Sequence, residues 1–336
     1  MPPKKLVSVI IPTFNRAHFL PTAIESVLNQ TYPNIQVIVI DDGSTDDTRQ
    51  IVAEFENVEY YYQENKRQGA ARNLGLSKTR GDYIASLDSD DAWHESFIEE
   101  SVNCLEEHNL DFVFLNWIYQ IDSVDFRSDW YRSRIWKHYI KNPFEQWFLL
   151  NSTEVRRLFI ETCPAPSSGL LIKKDSITTK WNEEMLIADD WCLILDIVLN
   201  RECRAAFTMK PFWVKGIHDQ NIYDGQEKIA TIKKLGLHDE NLLAKRFESQ
   251  LTPAEKKVFR KRMAGHHFNI GFWDLRKRGL SKKAIKSLAA SFSISPTGIF
   301  SLIVNRLRNR FLNMFSENYR NLPSKKTDAE EPSLNF

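Results

Sequence analysis

The first 115 residues alternate short, β-branched apolar runs with stretches of helical spacing, and this alternation constrains the fold more than any other feature. Residues 7–11 (Val-Ser-Val-Ile-Ile) and 35–40 (Ile-Gln-Val-Ile-Val-Ile) are too short for helices and are apolar on both faces, as strands covered on both sides of a sheet are. Between them, residues 17–30 place Phe19, Leu20, Ala23, Ile24, Val27 and Leu28 at helical spacing. Strand, helix and strand at this length make a βαβ unit, which requires parallel strands. Pro12 is read as the stop of the first strand. The pattern then repeats. Ser44, Thr45, Asp46 and Asp47 supply capping side chains for a helix through Glu54, and Val58 to Tyr62 is a strand. Gly69 to Ser77 is helical, Tyr83 to Leu87 a strand, 95–107 an amphipathic helix, and Asp111 to Leu115 another strand.

From Ile118 to Leu150 the chain is dense in Trp, Tyr and Arg and carries no readable period. Gly169 to Ile172 reads as a strand, Asp189 to Leu199 as a helix and Phe212 to Ile217 as a last strand; after residue 226 every signal is helical, with basic faces. The expected class is therefore α/β: a mostly parallel sheet flanked by helices, with an all-helical C-terminal extension. The expected domains are residues 1–225, in halves 1–117 and 118–225, then a helical region 226–322 and a disordered tail 323–336.

Composition removes several function classes. Lys+Arg is 45 and Asp+Glu 44 in 336 residues, so the net charge of +1 argues against nucleic acid as a partner. Four cysteines (Cys104, Cys163, Cys192 and Cys203) form no CxxC pair and read as reduced thiols of a cytoplasmic protein. No run approaches the ~18 apolar residues of a membrane span, and residues 6–11 are too few for a signal-peptide core. Neither GxGxxG after the first strand nor GxxxxGK[ST] occurs, which argues against a dinucleotide cofactor and a P-loop.

In an open parallel sheet, ligands bind beyond the carboxyl ends of the strands. Three such ends are polar here: Pro12-Thr13-Phe14-Asn15-Arg16, Asp41-Asp42-Gly43-Ser44 and Asp88-Ser89-Asp90-Asp91. Any one of them alone could be a capped turn; three at one rim point to a site. Asp88 and Asp90 form an Asp-any-Asp pair at the end of an apolar strand, where carboxylates repel unless a cation joins them. Mg²⁺ and Mn²⁺ prefer oxygen ligands, and Mg²⁺ takes one or two carboxylates with phosphate oxygens.

The run from Val7 to Trp93 resembles the inverting glycosyltransferases of family 2, which have the GT-A fold. The matching segments are Val7 to Arg16, Ser26 to Thr31, Val39 to Asp46, Gly69 to Gly75, and Gly81 to Ile84 with Leu87 to Trp93. The resemblance implies that Pro12, Thr13, Phe14 and Asn15 line a nucleotide pocket and that Asp42 accepts a hydrogen bond from the base. It implies that Arg72 and Asn73 lie near the nucleotide and its phosphates; the alternative for Arg72 is a solvated helix residue. Asp88, with Ser89 beside it, would approach the ribose or the metal shell, and Asp90 would bind Mn²⁺ or Mg²⁺ directly.

In the second half, Ile187 to Trp191 resembles the family's acidic pair beside the acceptor site. The resemblance makes Asp190 the base and Asp189 its supporting carboxylate; alternatively both acids simply occupy a first helical turn, where the dipole favours them. The family usually has Glu where Asp189 stands, and often Arg six residues after the base, where this chain has Asp196. His218 resembles a family histidine after the last catalytic strand, which implies a metal or diphosphate ligand; the alternative is a structural histidine. The implied activity is metal-dependent, inverting transfer of a sugar from a nucleotide-diphosphate donor to a saccharide or lipid-linked saccharide, in bacterial surface-polysaccharide or glycan synthesis. The alternatives are a catalytically weak nucleotide-sugar-binding or assembly protein and, as a third reading, a nucleotidyltransferase. Phe268, Phe272, Leu275, Ala284, Ile285, Leu288, Ala289 and Phe292 have helical spacing, and Ile299 to Phe315 is apolar and cationic without acids. This region reads first as packing helices with a solvated basic face, and second as a peripheral contact with the inner face of the cell membrane.

Overall fold

The computed structural model describes residues 4–121, 124–127, 135–142, 144–218, 221 and 227–304. The expected tail 323–336 and the end of the Ile299 to Phe315 stretch lie outside them. The described chain falls into two compact units. The first holds the residues up to Glu227 and Leu242–Thr252; the second holds Lys228–Asn241 and the residues from Pro253 on.

The first unit opens with β1 (Val7–Thr13), α1 (Leu20–Leu28), β2 (Ile35–Asp41), α2 (Thr48–Ala53), β3 (Val58–Tyr62), α3 (Arg67–Lys78) and β4 (Tyr83–Ser86). It continues with β5 (Asp91–Trp93), α4 (Phe97–His108), β6 (Phe112–Ile121), β7 (Val124–Arg127), β8 (Phe148–Leu150), α5 (Ser152–Glu161), β9 (Leu170–Lys173), α6 (Asp189–Asn200) and β10 (Ala205–Gly216). One mixed sheet runs β3-β2-β1-β4-β9-β6-β10-β5, with β7 on β6 and β8 on β10. The expected parallel order holds for β3-β2-β1-β4 and again for β6 with β10. The sheet is not parallel throughout, because β9 runs antiparallel between β4 and β6, and β5 and β8 lie antiparallel on β10.

Every residue of β1 is buried, as its uninterrupted apolar pattern requires. Pro12 does not stop this strand but continues it opposite Ile40. Ile10 accepts from Leu87 N–H on the β4 side and Thr13 from Asp42 N–H on the β2 side, so Pro12 faces the β4 side. The β4 ladder ends at Ile10 opposite Ser86, and the donor that proline lacks has no partner strand to miss. The α3 helix lies directly on β1: a Cβ at Gly75 would come 2.4 Å from Ile10 Cγ2.

β10 is longer than its apolar signal. It bulges between Thr208 and Trp213, where Asn116 Nδ2 donates to Met209 O at 2.6 Å. Beyond the bulge, Lys215 stands opposite Asp91, so the acidic end of β4 turns back into the sheet through β5.

The second unit holds α7 (Lys228–Thr231), a π-helical stretch (Ile232–Asp239) and the start of α8 (Glu240–Arg246). It continues with α9 (Pro253–Arg278), α10 (Lys282–Ile294) and α11 (Pro296–Val304). Buried Glu240 accepts from Arg262 Nε at 2.9 Å and lies 3.0 Å from His266 Nε2, which joins the π-helical end to α9.

Candidate active site

The carboxyl ends of β1, β2 and β4 share one rim. Asn15 is left-handed, with φ +52°, a conformation asparagine tolerates better than most residues. Its N–H donates to Ser44 Oγ at 2.9 Å and its Oδ1 accepts from Thr45 N–H at 2.8 Å. Asp46 Oδ2 accepts from Ala17 N–H at 3.0 Å. Ser44, Thr45 and Asp46 therefore tie the two loops together; of the expected capping side chains, Asp46 Oδ1 accepts from Thr48 N–H at 3.2 Å and from Thr48 Oγ1, whereas Asp47, the N-cap of α2, makes no side-chain cap bond. Gly43 has φ +88°, and a Cβ there would meet Asn65 N at 2.8 Å.

Asp42 is buried and accepts from Gln63 Nε2 at 2.6 Å and Lys66 N–H at 2.8 Å, both on Oδ1. Buried Thr13 Oγ1 has no partner among the described residues. Phe14 is 44% exposed at the mouth of the rim. Pro12 and Thr13 end β1 beside Ile40 and Asp41. These positions leave a polar rim with one orphaned hydroxyl and one exposed ring.

At the end of β4, ligand oxygens of Asp88, Asp90 and Asp91 lie within 4.8 Å of one another. Ser89 between them is buried. Asp90 Oδ2 sits 3.0 Å from His218 Nε2, 3.4 Å from Asn221 Nδ2 and 3.8 Å from Arg16 Nε. The His218 ring stacks on Phe19, centroids 4.3 Å apart. Burial and then the Asp88 charge raise the Asp90 pKa, against Arg16 and His218. Asp91, which the motif reading passed over, is more deeply buried. It accepts from Ser168 Oγ at 2.6 Å and Gly216 N–H at 3.2 Å, and burial pushes its pKa well above the carboxylate range. Asp91 has both oxygens bonded, which leaves Asp88 and Asp90 as the better cation ligands. Two neighbouring carboxylates suit a hard divalent ion.

The acidic pair at the start of α6 divides sharply. Asp189 is fully buried, accepting from Gln68 Nε2 at 2.6 Å and pairing with Arg72. Asp190 is half-buried; its Oδ2 accepts from Ser167 N–H at 2.9 Å. Burial, and next the Asp189 charge, push the Asp190 pKa up to about 7. A carboxylate tuned near neutrality is suited to take a proton at physiological pH.

Arg72 is fully buried, so the solvated reading is set aside. Its Nε donates to Ser86 Oγ at 3.2 Å, one terminal nitrogen to Asp88 Oδ1 at 2.6 Å and the other to Asp189. Burial works to lower its pKa, but the charges of Asp189, Asp88 and Asp190 outweigh it. All three nitrogens already hold protein partners, so Arg72 braces carboxylates. Asn73 does likewise: both amide hydrogens go to Trp181 O and Glu183 Oε1, and its Oδ1 accepts from Trp181 N–H at 2.9 Å. It fixes the segment before α6.

The sequence reading also missed the turn Ser167–Gly169. Ser168 Oγ accepts from Asp88 N–H at 3.1 Å while donating to Asp91, and Ser168 O accepts from Trp93 Nε1 at 2.7 Å. With Ser167 on Asp190, two adjacent residues hold both acidic groups. A Ser-Ser-Gly run is common, and nothing local marks it.

A polar rim, a carboxylate cluster and a near-neutral aspartate on one α/β sheet frame the comparison with known proteins. The family described as Glycosyl transferase family 2 matches residues 8–178, half of the chain. The chain belongs to this family. Among relatives of this chain is the putative teichuronic acid biosynthesis glycosyltransferase TuaG of Bacillus subtilis, 37% identical over 116 residues, 33% of this chain and 46% of TuaG. The matched parts of TuaG and of the Rickettsia bellii relative cover only 46% and 17% of those proteins. Among solved structures, Staphylococcus aureus TarS 1–349 in complex with UDP-GlcNAc superposes with a TM-score of 0.62 at 17% identity, covering 86% of this chain and 81% of that one. The Pyrobaculum calidifontis mannosyltransferase PcManGT, in complex with GDP-Man and Mn²⁺, gives 0.56 at 18%, covering 92% and 81%. These likenesses establish a GT-A-type fold for this chain.

Proposed function

We propose that this glycosyltransferase moves a sugar from a nucleotide-diphosphate donor to a saccharide hydroxyl, free or lipid-linked, with inversion at the anomeric carbon. The setting that suits its relatives is surface-polysaccharide assembly. The observation that carries the reading is Asp190: a half-buried carboxylate with its pKa near 7, fixed by Ser167 and linked through Asp189 and Arg72 to the Asp88 end of the cluster.

The residues divide the work. Pro12, Thr13, Phe14, Asn15 and Asp42 would form the nucleotide side of the rim, and the unpartnered Thr13 hydroxyl is available to a ligand atom. Asp88 and Asp90, with His218 against Asp90, would hold Mn²⁺ or Mg²⁺, which offsets charge on the departing diphosphate. Asp190 would take the acceptor proton as the hydroxyl attacks, the role a one-step inverting displacement requires. Asp189, sealed against Arg72 and Gln68, stands beside Asp190, and its charge adds to burial in raising the Asp190 pKa. Arg72 and Asn73 act as positioning residues.

The substitution at Asp196 does not weaken this reading, since buried Asp196 takes Arg246 NH2 at 2.9 Å and Nε at 3.2 Å. The test is release of nucleoside diphosphate from a panel of nucleotide sugars with Mn²⁺, followed by the anomeric configuration of the product. Release of pyrophosphate, or retention of configuration, would overturn the proposal.

A further inference from the structure

The helical spacing of residues 268–292 predicts a packed face, but the second unit splits those residues. Phe268 and Ala284 are buried, whereas Phe272, Ile285 and Phe292 are 42–50% exposed, and Leu280, Phe300 and Val304 are exposed as well. The packed side of α10 is defined by Ala284 and Leu288 against Gly271 of α9, where an added Cβ would lie 2.8 Å from Leu288 Cγ. At about 100° per residue, Phe292, Ile285 and Ala289 fall in one arc of about 60°, away from Ser291 and Ala284, with Lys282 and Lys286 on its border. These three lie in exposed positions. Among the described residues the stripe is thus an unpartnered apolar edge, with Lys282 and Lys286 on its border.

Its charge is lopsided. From Pro253 to Val304 the chain has eleven Lys and Arg (Lys256, Lys257, Arg260, Lys261 and Arg262; Arg276, Lys277 and Arg278; Lys282, Lys283 and Lys286) but only Glu255 and Asp274 as acids. Six of them, Arg276 to Lys286, cluster about the α9–α10 connection that carries exposed Leu280. No single helix among the described residues is long and apolar enough to cross a membrane, and α10 and α11 meet at 109°.

We propose that this face of the second unit docks on the surface of an anionic lipid bilayer. The aromatic and aliphatic side chains enter the headgroup boundary and the lysines and arginines meet the lipid charges. Charge complementarity selects this occupant: a neutral apolar partner would leave a cationic rim facing nothing.

The test uses the full chain with sedimented vesicles, either phosphatidylcholine alone or phosphatidylcholine mixed equally with phosphatidylglycerol. Binding to the mixed vesicles only, weakened by salt, is expected. Removing charge in Lys282→Gln/Lys283→Gln/Lys286→Gln should weaken it about fivefold per lysine, and Phe292→Ser/Phe300→Ser should lose it. Nucleoside diphosphate release in solution should stay at the wild-type rate in both variants, which shows that they fold. Three results would each overturn the proposal: equal or absent binding to both vesicle types, binding that survives both variants, or concentration-dependent self-association that the phenylalanine variant abolishes without any vesicle binding. Failure of the proposed sugar transfer would leave vesicle binding untouched, so the two readings fail separately.

Discussion

Arg72 and Asp189 form a buried ion pair, and the same guanidinium reaches Asp88 at 2.6 Å, so one side chain braces both acidic groups of the site. Removing one partner of a buried pair leaves an uncompensated charge and costs about 3–5 kcal/mol. Arg72→Ala should therefore destabilise the protein by that order in urea unfolding. Arg72→Lys should recover little, since an ammonium cannot serve Ser86, Asp88 and Asp189 in one plane. Arg72→Ala/Asp189→Ala should be less destabilised than the sum of the single variants. Strict additivity in that cycle would show that the pair is not coupled.

If Asp190 is the base, it sets the pH profile. Its pKa of about 7 predicts that nucleoside diphosphate release rises with pH across neutrality and levels off above it. Because the folded pKa lies above the unfolded value, the folded state binds the extra proton. That stabilisation is present below about pH 4 and is lost as pH rises through 7. Asp190→Asn should consequently raise thermal stability at pH 8, by about 1 kcal/mol, with a smaller gain at pH 5. A variant less stable than wild type at pH 8 would contradict the raised pKa.

Ser168 connects the cluster to the rest of the sheet. Ser168→Ala removes a donor from Asp91, a buried contact, and an acceptor from Asp88 N–H, a partly buried one, and should cost about 1–3 kcal/mol. If Asp88 and Asp90 hold the cation, the Mn²⁺ concentration for half-maximal rate should also rise about tenfold or more, with the rate recovered at saturating Mn²⁺. An unchanged Mn²⁺ requirement would detach Ser168 from the metal site.

Gly216 tests the closeness of β10 to the cluster. A Cβ there would come 2.4 Å from Asp90 O, a backbone atom that cannot swing aside. Gly216→Ala should shift Asp90 and His218 together. It is expected to weaken donor binding at least as much as His218→Ala, measured by nucleotide titration with Mn²⁺. Wild-type donor affinity in Gly216→Ala would contradict the packing.

The βα alternation and the acidic strand ends were legible because each is local: period, β-branching and turn chemistry lie within a few residues. Pro12 was misread because its tolerance depends on where β4 stops, which the β1 sequence does not encode. The antiparallel placement of β9 was hidden for the same reason, since an apolar tetrapeptide reads alike in either direction. Asp91 and the Ser167–Ser168 turn were missed because their partners lie 77 and 23 residues away. For Arg72, whether a buried guanidinium faces a ligand or three protein oxygens depends on α6 and on Ser86, neither of which the α3 sequence encodes. α5 went unread although Asn151 and Glu154 form a full capping box, because the aromatic run before it has no period.

The most direct test compares wild type with Asp190→Asn for nucleoside diphosphate release from the nucleotide sugar that binds best with Mn²⁺. The account predicts at least a hundredfold loss of rate with donor affinity unchanged, since general-base removal typically costs ~10²–10⁴-fold. A variant that turns over at the wild-type rate would contradict it.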